Sequence, residues 1–170
     1  MKLLRTSDQL QPEGGFTLIE LLVAMALTAI FSLMLADLFT NVLAAQTEYE
    51  ATSAVAQDGR YILQRLSYDV TRASAIVDPA TLGGSGSSLE LTIGGVSNTY
   101  DLAGGNLELT NGAGTANLNG DQTTISDWSV QRLGEPGQPD TARISFTVTS
   151  KAMLHGQAST QHFSLTAGRR

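Results

Sequence analysis

Residues 16–35 decide the fold of this chain, and they read FTLIELLVAMALTAIFSLML. Glu20 is the only charged side chain in this run. A helix of about 20 apolar residues is about 30 Å long, which matches the thickness of the hydrocarbon core of a bilayer. The run therefore predicts one membrane-spanning helix close to the N-terminus.

Glu20 separates the possible explanations of this apolar run, which are a cleaved signal peptide, a signal anchor and a processed membrane segment. A signal peptide has a shorter apolar core and no use for an acid near its start. In lipid a carboxylate costs about 3 kcal/mol or more unless it is paired or neutral, so it indicates a functional contact. The alternative is a tolerated residue near the interface, from which the side chain partly reaches water.

The sequence around Glu20, GFTLIELLVA at residues 15–24, closely resembles the prepilin processing site of type IV pilins and type II secretion pseudopilins. The resemblance implies that a prepilin peptidase cleaves after Gly15 and, as an N-methyltransferase, methylates the new amino group of Phe16. It also implies that Glu20 meets the N-terminal ammonium of a neighbouring subunit. That contact would supply the compensating charge that burial in lipid demands. The presence of Glu20 argues, by resemblance, against a specialised tip subunit.

Residues 1–15 are predicted to form the leader that this cleavage removes. Its charges, Lys2, Arg5, Asp8 and Glu13, cancel, so the positive-inside rule gives only a modest preference for a cytoplasmic leader. The orientation follows mainly from the resemblance, which implies a single-pass protein of the inner membrane with its C-terminal domain outside the cytoplasm.

The helical pattern continues beyond the membrane run to about Ile76, because no proline interrupts it before the stop signal Asp78-Pro79. Such a helix would be about 90 Å long. We predict a membrane and assembly half at residues 16–38 and an amphipathic half at residues 39–77. The apolar face of the second half consists of Val55, Ile62, Leu66, Val70, Ala73 and Val77.

The polar side of this second half has charges at helical spacing, and Asp69 can pair with Arg65 or Arg72. We expect these to be solvated ion pairs worth a few tenths of a kcal/mol each. Residues 59–73 also resemble the helix of J-type minor pseudopilins and PilW-like minor pilins, and residues 161–170 resemble the end of those proteins. The simpler interpretation is that any amphipathic helix packed on a sheet has such spacings.

The rest of the chain indicates β structure. Residues 78–88, DPATLGGSGSS, read as a flexible linker rather than a phosphate-binding loop, since no lysine follows the glycines. Residues 89–170 contain short stretches of alternating apolar and polar residues separated by glycine pairs, which predicts an antiparallel meander. Trp128 lies in one such stretch and is expected in the core. The predicted class is α+β and pilin-like, with a long N-terminal helix packed on a small antiparallel sheet.

Composition and motifs argue against several kinds of site. The net charge of −6 disfavours non-specific nucleic-acid binding, and the absence of cysteine removes disulfides and thiolate metal sites. His155 and His162 lack a zinc-binding pattern. Asn119 and Asp121 faintly resemble a Ca²⁺ loop, but the downstream glutamate of an EF-hand is missing, so they are weak calcium candidates. We expect no cofactor, and the scattered Ser, His and Asp residues indicate no catalytic constellation.

The function that these observations favour is a structural subunit, a minor pilin or pseudopilin, of a type IV pilus or type II secretion pseudopilus. Its implied partners are the prepilin peptidase and N-methyltransferase, other pilins or pseudopilins through the N-terminal helix, and the inner membrane. Two rivals stay open. One is a membrane-anchored extracytoplasmic binding domain that never polymerises, and the other is a secreted enzyme with an ordinary signal peptide.

Overall fold

The architecture comes from a computed structural model, which describes residues 15–154 and 157–170. The chain forms two units, Met1–Leu43 and Ala44–Arg170. A single helix, α1, runs from Leu18 to Arg72. Its sequence is rich in Leu, Ala and Met, which lose little side-chain freedom in a helix.

Helix α1 ends at Arg72 rather than at the predicted Ile76. The chain leaves the helix because the Ser74 amide donates to the carbonyl of Thr92 at 2.8 Å, which starts the first strand pairing. Val77 therefore lies in a strand, where it is 43% exposed, and its predicted place on the apolar helix face is wrong.

The strands that follow within the described residues pair antiparallel throughout and form two sheets. Sheet one has the order β1-β3-β4-β5-β6, and sheet two has the order β2-β7-β8-β9. The predicted α+β class, a long N-terminal helix packed on antiparallel β structure, is confirmed, with two sheets where one small sheet was expected. The strand bounds are β1 (Ala75–Asp78), β2 (Ser85–Gly86), β3 (Ser88–Ile93), β4 (Val96–Ala103), β5 (Asn106–Asn111), β6 (Gly114–Asn117), β7 (Thr123–Leu133), β8 (Thr141–Leu154) and β9 (Gln157–Gly168).

The glycine pairs form the turns of the predicted meander. Gly94 and Gly95 connect β3 to β4 with φ values of 59° and 81°, and Gly104 and Gly105 connect β4 to β5 with 58° and 81°. Two successive residues with positive φ are typical of the type I′ turns that suit the twist of a hairpin. Glycine adopts this conformation without the steric cost that other residues carry.

The segment predicted as a flexible linker, residues 78–88, is hydrogen-bonded to sheet two. It contains β2, whose Ser85 and Gly86 pair with β7. Just before it, the Gly83 amide donates to the carbonyl of Arg132 at 2.8 Å, and the Arg132 amide donates to the carbonyl of Gly84 at 3.0 Å. The prediction of a free loop is therefore wrong, because composition alone does not show these backbone partners.

One hydrophobic core joins the end of α1 to both sheets. Trp128 belongs to it as predicted, since the residue is 7% exposed and its ring centroid lies 6.2 Å from that of Phe146. The core packs the apolar face of the helix against strands of both sheets. Its largest fully buried side chains are Val55, Ile62, Leu66 and Val70 from α1, Leu89, Leu91, Tyr100 and Leu107 from sheet one, and Val130, Ile144, Phe146 and Val148 from sheet two.

Candidate functional site

The N-terminus of α1 is capped by the residue just before it. Thr17 precedes the helix, its Oγ1 accepts a hydrogen bond from the Glu20 amide at 3.3 Å, and its carbonyl accepts one from the Leu21 amide at 3.1 Å. Thr-x-x-Glu at this position is the pattern of a capping box, in which a hydroxyl satisfies an amide of the first turn. Both of these acceptors belong to Thr17, so this cap lies on the C-terminal side of the Gly15–Phe16 bond.

The predicted processing positions lie immediately outside this cap. Gly15 and Phe16 are exposed and outside the helix, and Phe16 is 82% exposed. A side-chain carbon added to Gly15 would meet no atom within 4 Å. The bond between the two residues thus lies at an exposed position outside the helix, which suits a peptide that must enter a protease. Cleavage there would leave the capped helix intact.

Glu20 lies in the first turn of α1, and its side chain is exposed. A carboxylate at this end interacts favourably with the positive end of the helix dipole. The structure therefore places Phe16, Thr17 and Glu20 at the same end of the helix. Sequence reasoning missed the capping role of Thr17, although the Thr-x-x-Glu spacing before an apolar run was a sufficient signal.

The first part of α1 has an exposed apolar surface. Among its side chains, Leu18, Ile19 and Leu33 are 76%, 67% and 72% exposed. Within the described residues α1 is long and apolar enough to cross a membrane, and its most apolar window has none of its residues buried. Exposed leucine and isoleucine on all sides of a helix are typical of a helix that lies in lipid or among similar helices.

The features at this end, an exposed apolar helix long enough to cross a membrane and an exposed Gly-Phe bond just before it, fit the class of membrane-anchored proteins. Comparison with protein families matches residues 11–36 to the prokaryotic N-terminal methylation motif. Comparison with curated proteins and with solved structures gives no match. The motif, with the long apolar helix, fits a type IV pilin-like protein.

This match indicates processing by a prepilin peptidase and assembly with other pilins. It also fits anchoring in the inner membrane, since the matched residues include the whole apolar run at residues 16–35. The motif points to a structural pilin, a kind of protein that is usually non-enzymatic. The match covers the N-terminal segment and does not extend into the β domain.

In the β domain, sequence reasoning missed a buried polar cluster on α1. Asp69 is 4% exposed, and its Oδ2 accepts hydrogen bonds from Arg65 Nε at 2.7 Å and from the Tyr100 hydroxyl. The expectation of a solvated ion pair is therefore wrong for Asp69. Spacing was a signal that could have shown this, because Asp69 lies three residues after Leu66 on the apolar face.

A second carboxylate on α1 holds the loop before β7. Asp58 Oδ2 accepts hydrogen bonds from the Gly120 amide at 2.9 Å and from Thr123 Oγ1 at 2.5 Å. Two donors on one oxygen fix the loop against the helix. Asp58 and Asp69 thus each connect the helix to a different part of the β domain.

The two weak calcium candidates, Asn119 and Asp121, lie in different environments, one buried and one exposed. Asn119 is buried, its Oδ1 accepts from the Leu107 amide at 2.9 Å, and its Nδ2 donates to Asn106 Oδ1 and the Thr123 carbonyl, each at 3.1 Å. Asp121 is exposed. Among the described residues no group of three or more His, Asp or Glu side chains is placed to hold a metal ion. Asn119 and Asp121 stay weak calcium candidates, and His155 lies outside the described residues.

Proposed function

We propose that this chain is a structural subunit, a minor pilin or pseudopilin, of a type IV pilus or a type II secretion pseudopilus. A prepilin peptidase cleaves it after Gly15 and methylates Phe16. The observation that supports this proposal is the accessible Gly15–Phe16 bond directly before a capped apolar helix, within the segment that matches the methylation motif. The mature protein is then anchored as a single span, with the β domain outside the cytoplasm.

Glu20 is the assembly contact in this proposal. After cleavage, Phe16 would have a positive amino group at the membrane end of the helix, while Glu20 has the only charge within the apolar run. A buried carboxylate is tolerated when an opposite charge neutralises it. The ammonium of a neighbouring subunit supplies that charge only when the subunits are assembled, so Glu20 favours the assembled state over the isolated one.

The narrower assignment is a J-type pseudopilin or PilW-like minor pilin. It rests on the likeness of residues 59–73 and 161–170 to those subunits. Both stretches make contacts that hold the end of α1 in the β domain. Asp69 accepts a hydrogen bond from the Tyr100 hydroxyl, and the Arg169 guanidinium donates to the Ser74 carbonyl where the chain leaves the helix.

A charge-removing substitution tests the role of Glu20. In cells with the complete assembly system, Glu20→Gln should be processed to a Phe16 terminus like the wild type, yet its incorporation into filaments should fall about tenfold or more. A tenfold fall corresponds to the loss of about 1.4 kcal/mol of interaction free energy from an ion pair in lipid. Filament yield per processed subunit is the measurement.

Glu48→Gln is the matched control, because Glu48 lies exposed on the same helix outside the apolar run. Filament yield of the Glu20→Gln variant equal to that of the control would contradict the assembly role. Loss of the new Phe16 terminus in Glu20→Gln would assign Glu20 to peptidase recognition instead.

The alternative function is a membrane-anchored extracytoplasmic binding domain that does not polymerise. The exposed apolar helix is compatible with a plain anchor. This alternative predicts that the wild-type chain keeps its Met1 terminus in the presence of the peptidase.

A further inference from the structure

Among the described strands, β9 forms one edge of sheet two. It has 12 residues, and its sequence, QASTQHFSLTAG, contains no Asp, Glu, Lys, Arg or Pro. Proteins usually protect an edge strand from pairing with another chain by keeping it short or by placing charges or prolines on it. Strand β9 has none of these features, so it has the length and composition of an edge that can accept a further strand.

One hydrogen bond shows which backbone groups of β9 point away from sheet two. The Arg169 amide donates to the carbonyl of Asp140 at 2.9 Å, so residue 169 faces the β8 side. The pairing of β8 with β9 then continues without a shift from residue 168 back to residue 160. Because the backbone direction alternates along an antiparallel strand, the even-numbered residues in 160–168 point their amides and carbonyls towards the free edge.

Helix α1 covers this edge only beyond the end of β9. The Arg170 amide points the same way as the even-numbered amides of β9, and it donates to the carbonyl of Thr71 on α1 at 3.4 Å. In the part of the chain that the structure describes, the even-numbered residues from 160 to 166 have no such backbone partner. These four residues are exposed, and they are Thr160, His162, Ser164 and Thr166.

A groove of about 660 Å³ lies beside this edge, between β9 and the last turns of α1. Leu63 on α1 and Leu165 on β9 line it, and both are only half-buried although they pack against the hydrophobic core. Arg72 and Arg170 line the end of the groove where the chain leaves β9. The groove therefore offers apolar contacts next to an unpaired backbone edge.

We propose that β9 binds an extended segment of a partner protein, which pairs with residues 160–166 and places alternate apolar side chains in the groove beside Leu63 and Leu165. In such strand addition the main-chain hydrogen bonds supply affinity, and pockets for alternate side chains supply specificity. The added strand is antiparallel to β9, because antiparallel pairing is slightly more stable per residue. Its N-terminal end therefore lies at the Arg170 end of the groove.

The charges at that end define one end of the partner segment. Arg72 and Arg170 are exposed, and within the described residues neither guanidinium forms an ion pair with a carboxylate. Acidic residues at the N-terminal end of the added strand would complement both arginines. The partner segment thus has acidic residues first and alternating apolar residues after them.

A second copy of this chain fits the edge less well. Its other described edge strands, β1, β2 and β6, have 4, 2 and 4 residues, so pairing with any of them would leave most of β9 free. Its own β9 is long enough but has no acidic side chain to meet Arg72 and Arg170. The surface therefore suits a partner of different sequence. It is independent of the proposed processing at Gly15, because it lies entirely on the β domain and the part of α1 packed against it.

A synthetic peptide tests strand addition to the full chain in detergent. The fluorescent probe has two N-terminal aspartates followed by alternating valine and threonine, about ten residues in all, and its binding is measured by fluorescence anisotropy. The matched control peptide has N-methyl groups on consecutive central amides, so neither of its edges can pair. We expect the control to bind about tenfold more weakly or worse, since it loses several main-chain hydrogen bonds.

A proline at the free edge tests the position of the site. Ser164→Pro removes an amide that points away from β8, so the pairing within sheet two is retained while the edge is blocked. It should lower the affinity for the probe about tenfold, whereas Ser164→Ala, which keeps the amide, should bind like the wild type. The fluorescence of the buried Trp128 shows whether each variant is folded, and the methylated peptide decides the question if Ser164→Pro is not.

Charge reversal in the probe tests the assigned direction. Replacing its two aspartates by lysines should weaken binding to the wild type about threefold, as expected for exposed ion pairs. The chain with Arg72→Gln and Arg170→Gln should bind the two peptides equally. A preference for the lysine peptide in the wild type would contradict the antiparallel placement.

Three results would overturn the proposal: no binding of the probe at about 1 mM, equal binding of the methylated peptide, or wild-type affinity in a folded Ser164→Pro variant. Self-association of the wild type that Ser164→Pro abolishes would assign the edge to a second copy instead. Binding that depends on the free amides of the probe and on the edge at Ser164 would establish β9 as a site for strand addition.

Discussion

Asp69 is a buried carboxylate, and its hydrogen-bond partners determine the free-energy cost of its burial. Tyr100 is fully buried, and this burial, followed by the hydrogen bond to Asp69, raises the pKa of its hydroxyl above the ordinary value of 10.0. The hydrogen bond with Asp69 likewise raises the pKa of Arg65. A charge held by a cation on one side and a hydroxyl on the other avoids most of the penalty of burial.

The raised pKa of Tyr100 predicts a loss of stability at alkaline pH. A group whose pKa is higher in the folded state contributes stability below its unfolded pKa and loses it as pH rises through the folded pKa. The wild-type β domain should therefore lose stability above about pH 10. Tyr100→Phe should cost about 1–2 kcal/mol at neutral pH through the lost hydrogen bond, and its deficit should shrink above that pH.

Thermal unfolding of the full chain in detergent checks this, with the fluorescence of Trp128, the only tryptophan and a buried one, as the signal. A deficit of Tyr100→Phe that stays constant from about pH 8 to about pH 11 would contradict the assignment.

Two acids on neighbouring strands offer a second residue-scale prediction. Asp101 on β4 lies directly opposite Glu108 on β5, and like charges in this arrangement are destabilising. Glu108→Gln should raise the stability of the β domain by a few tenths of a kcal/mol, or about 1 °C in Tm, at low salt. The gain should vanish at about 1 M salt, where charges are screened.

Glu135→Gln in an exposed turn is the control, because it removes the same charge without an opposed acid. A gain for Glu108→Gln that survives high salt, or that equals the gain for the control, would show that repulsion is not its cause.

At the scale of elements, the packing of α1 on β9 depends on Gly59. A side-chain carbon at this position would lie 2.1 Å from Cζ and 2.3 Å from Cε2 of Phe163. The half-buried Phe163 ring is stacked on that of Phe146, with the ring centroids 5.5 Å apart. The glycine thus permits a close approach of helix and strand, although glycine in a helix costs about 1 kcal/mol relative to alanine.

Gly59→Ala should therefore destabilise the β domain by about 1–2 kcal/mol, since overpacking outweighs the gain in helix propensity. Gln57→Ala, at an exposed position of the same helix, should be neutral or slightly stabilising. Chemical denaturation of the full chain in detergent measures both. The further change Phe163→Leu should restore part of the loss, and a Gly59→Ala variant more stable than the wild type would refute the close contact.

The elements also show what sequence could and could not predict. Ile125 and Trp128 are both buried, yet residues three apart in an unbroken strand lie on opposite faces. Both are buried because the pairing of β7 with β8 shifts between Ser126 and Ser129, where Asp127 adopts a φ of 52°. The alternating pattern predicted the strand, but it did not predict the bulge that lets both residues be buried.

At the scale of the whole molecule, the sequence predicts the structure of the N-terminal segment better than that of the β domain. The membrane segment follows from the cost of charge in lipid and from apolar length, both of which are local properties, and the methylation-motif match agrees with it. The β domain depends on partners far apart in the chain. The pairing of β2 with β7 and the burial of Asp69 beside Tyr100 are of this kind, so composition indicated a loop and a solvated ion pair in their place.

The central claim, that the chain is a processed pilin-like subunit, is tested most directly by the mass of its N-terminal peptide. The full chain is expressed in membranes with and without an active prepilin peptidase, and Gly15→Val serves as the uncleavable control. The account predicts a peptidase-dependent terminus at Phe16 with one added methyl group, and an uncut Gly15→Val chain. A wild-type chain that keeps Met1 with the active peptidase, or is cut after the apolar run, would contradict it.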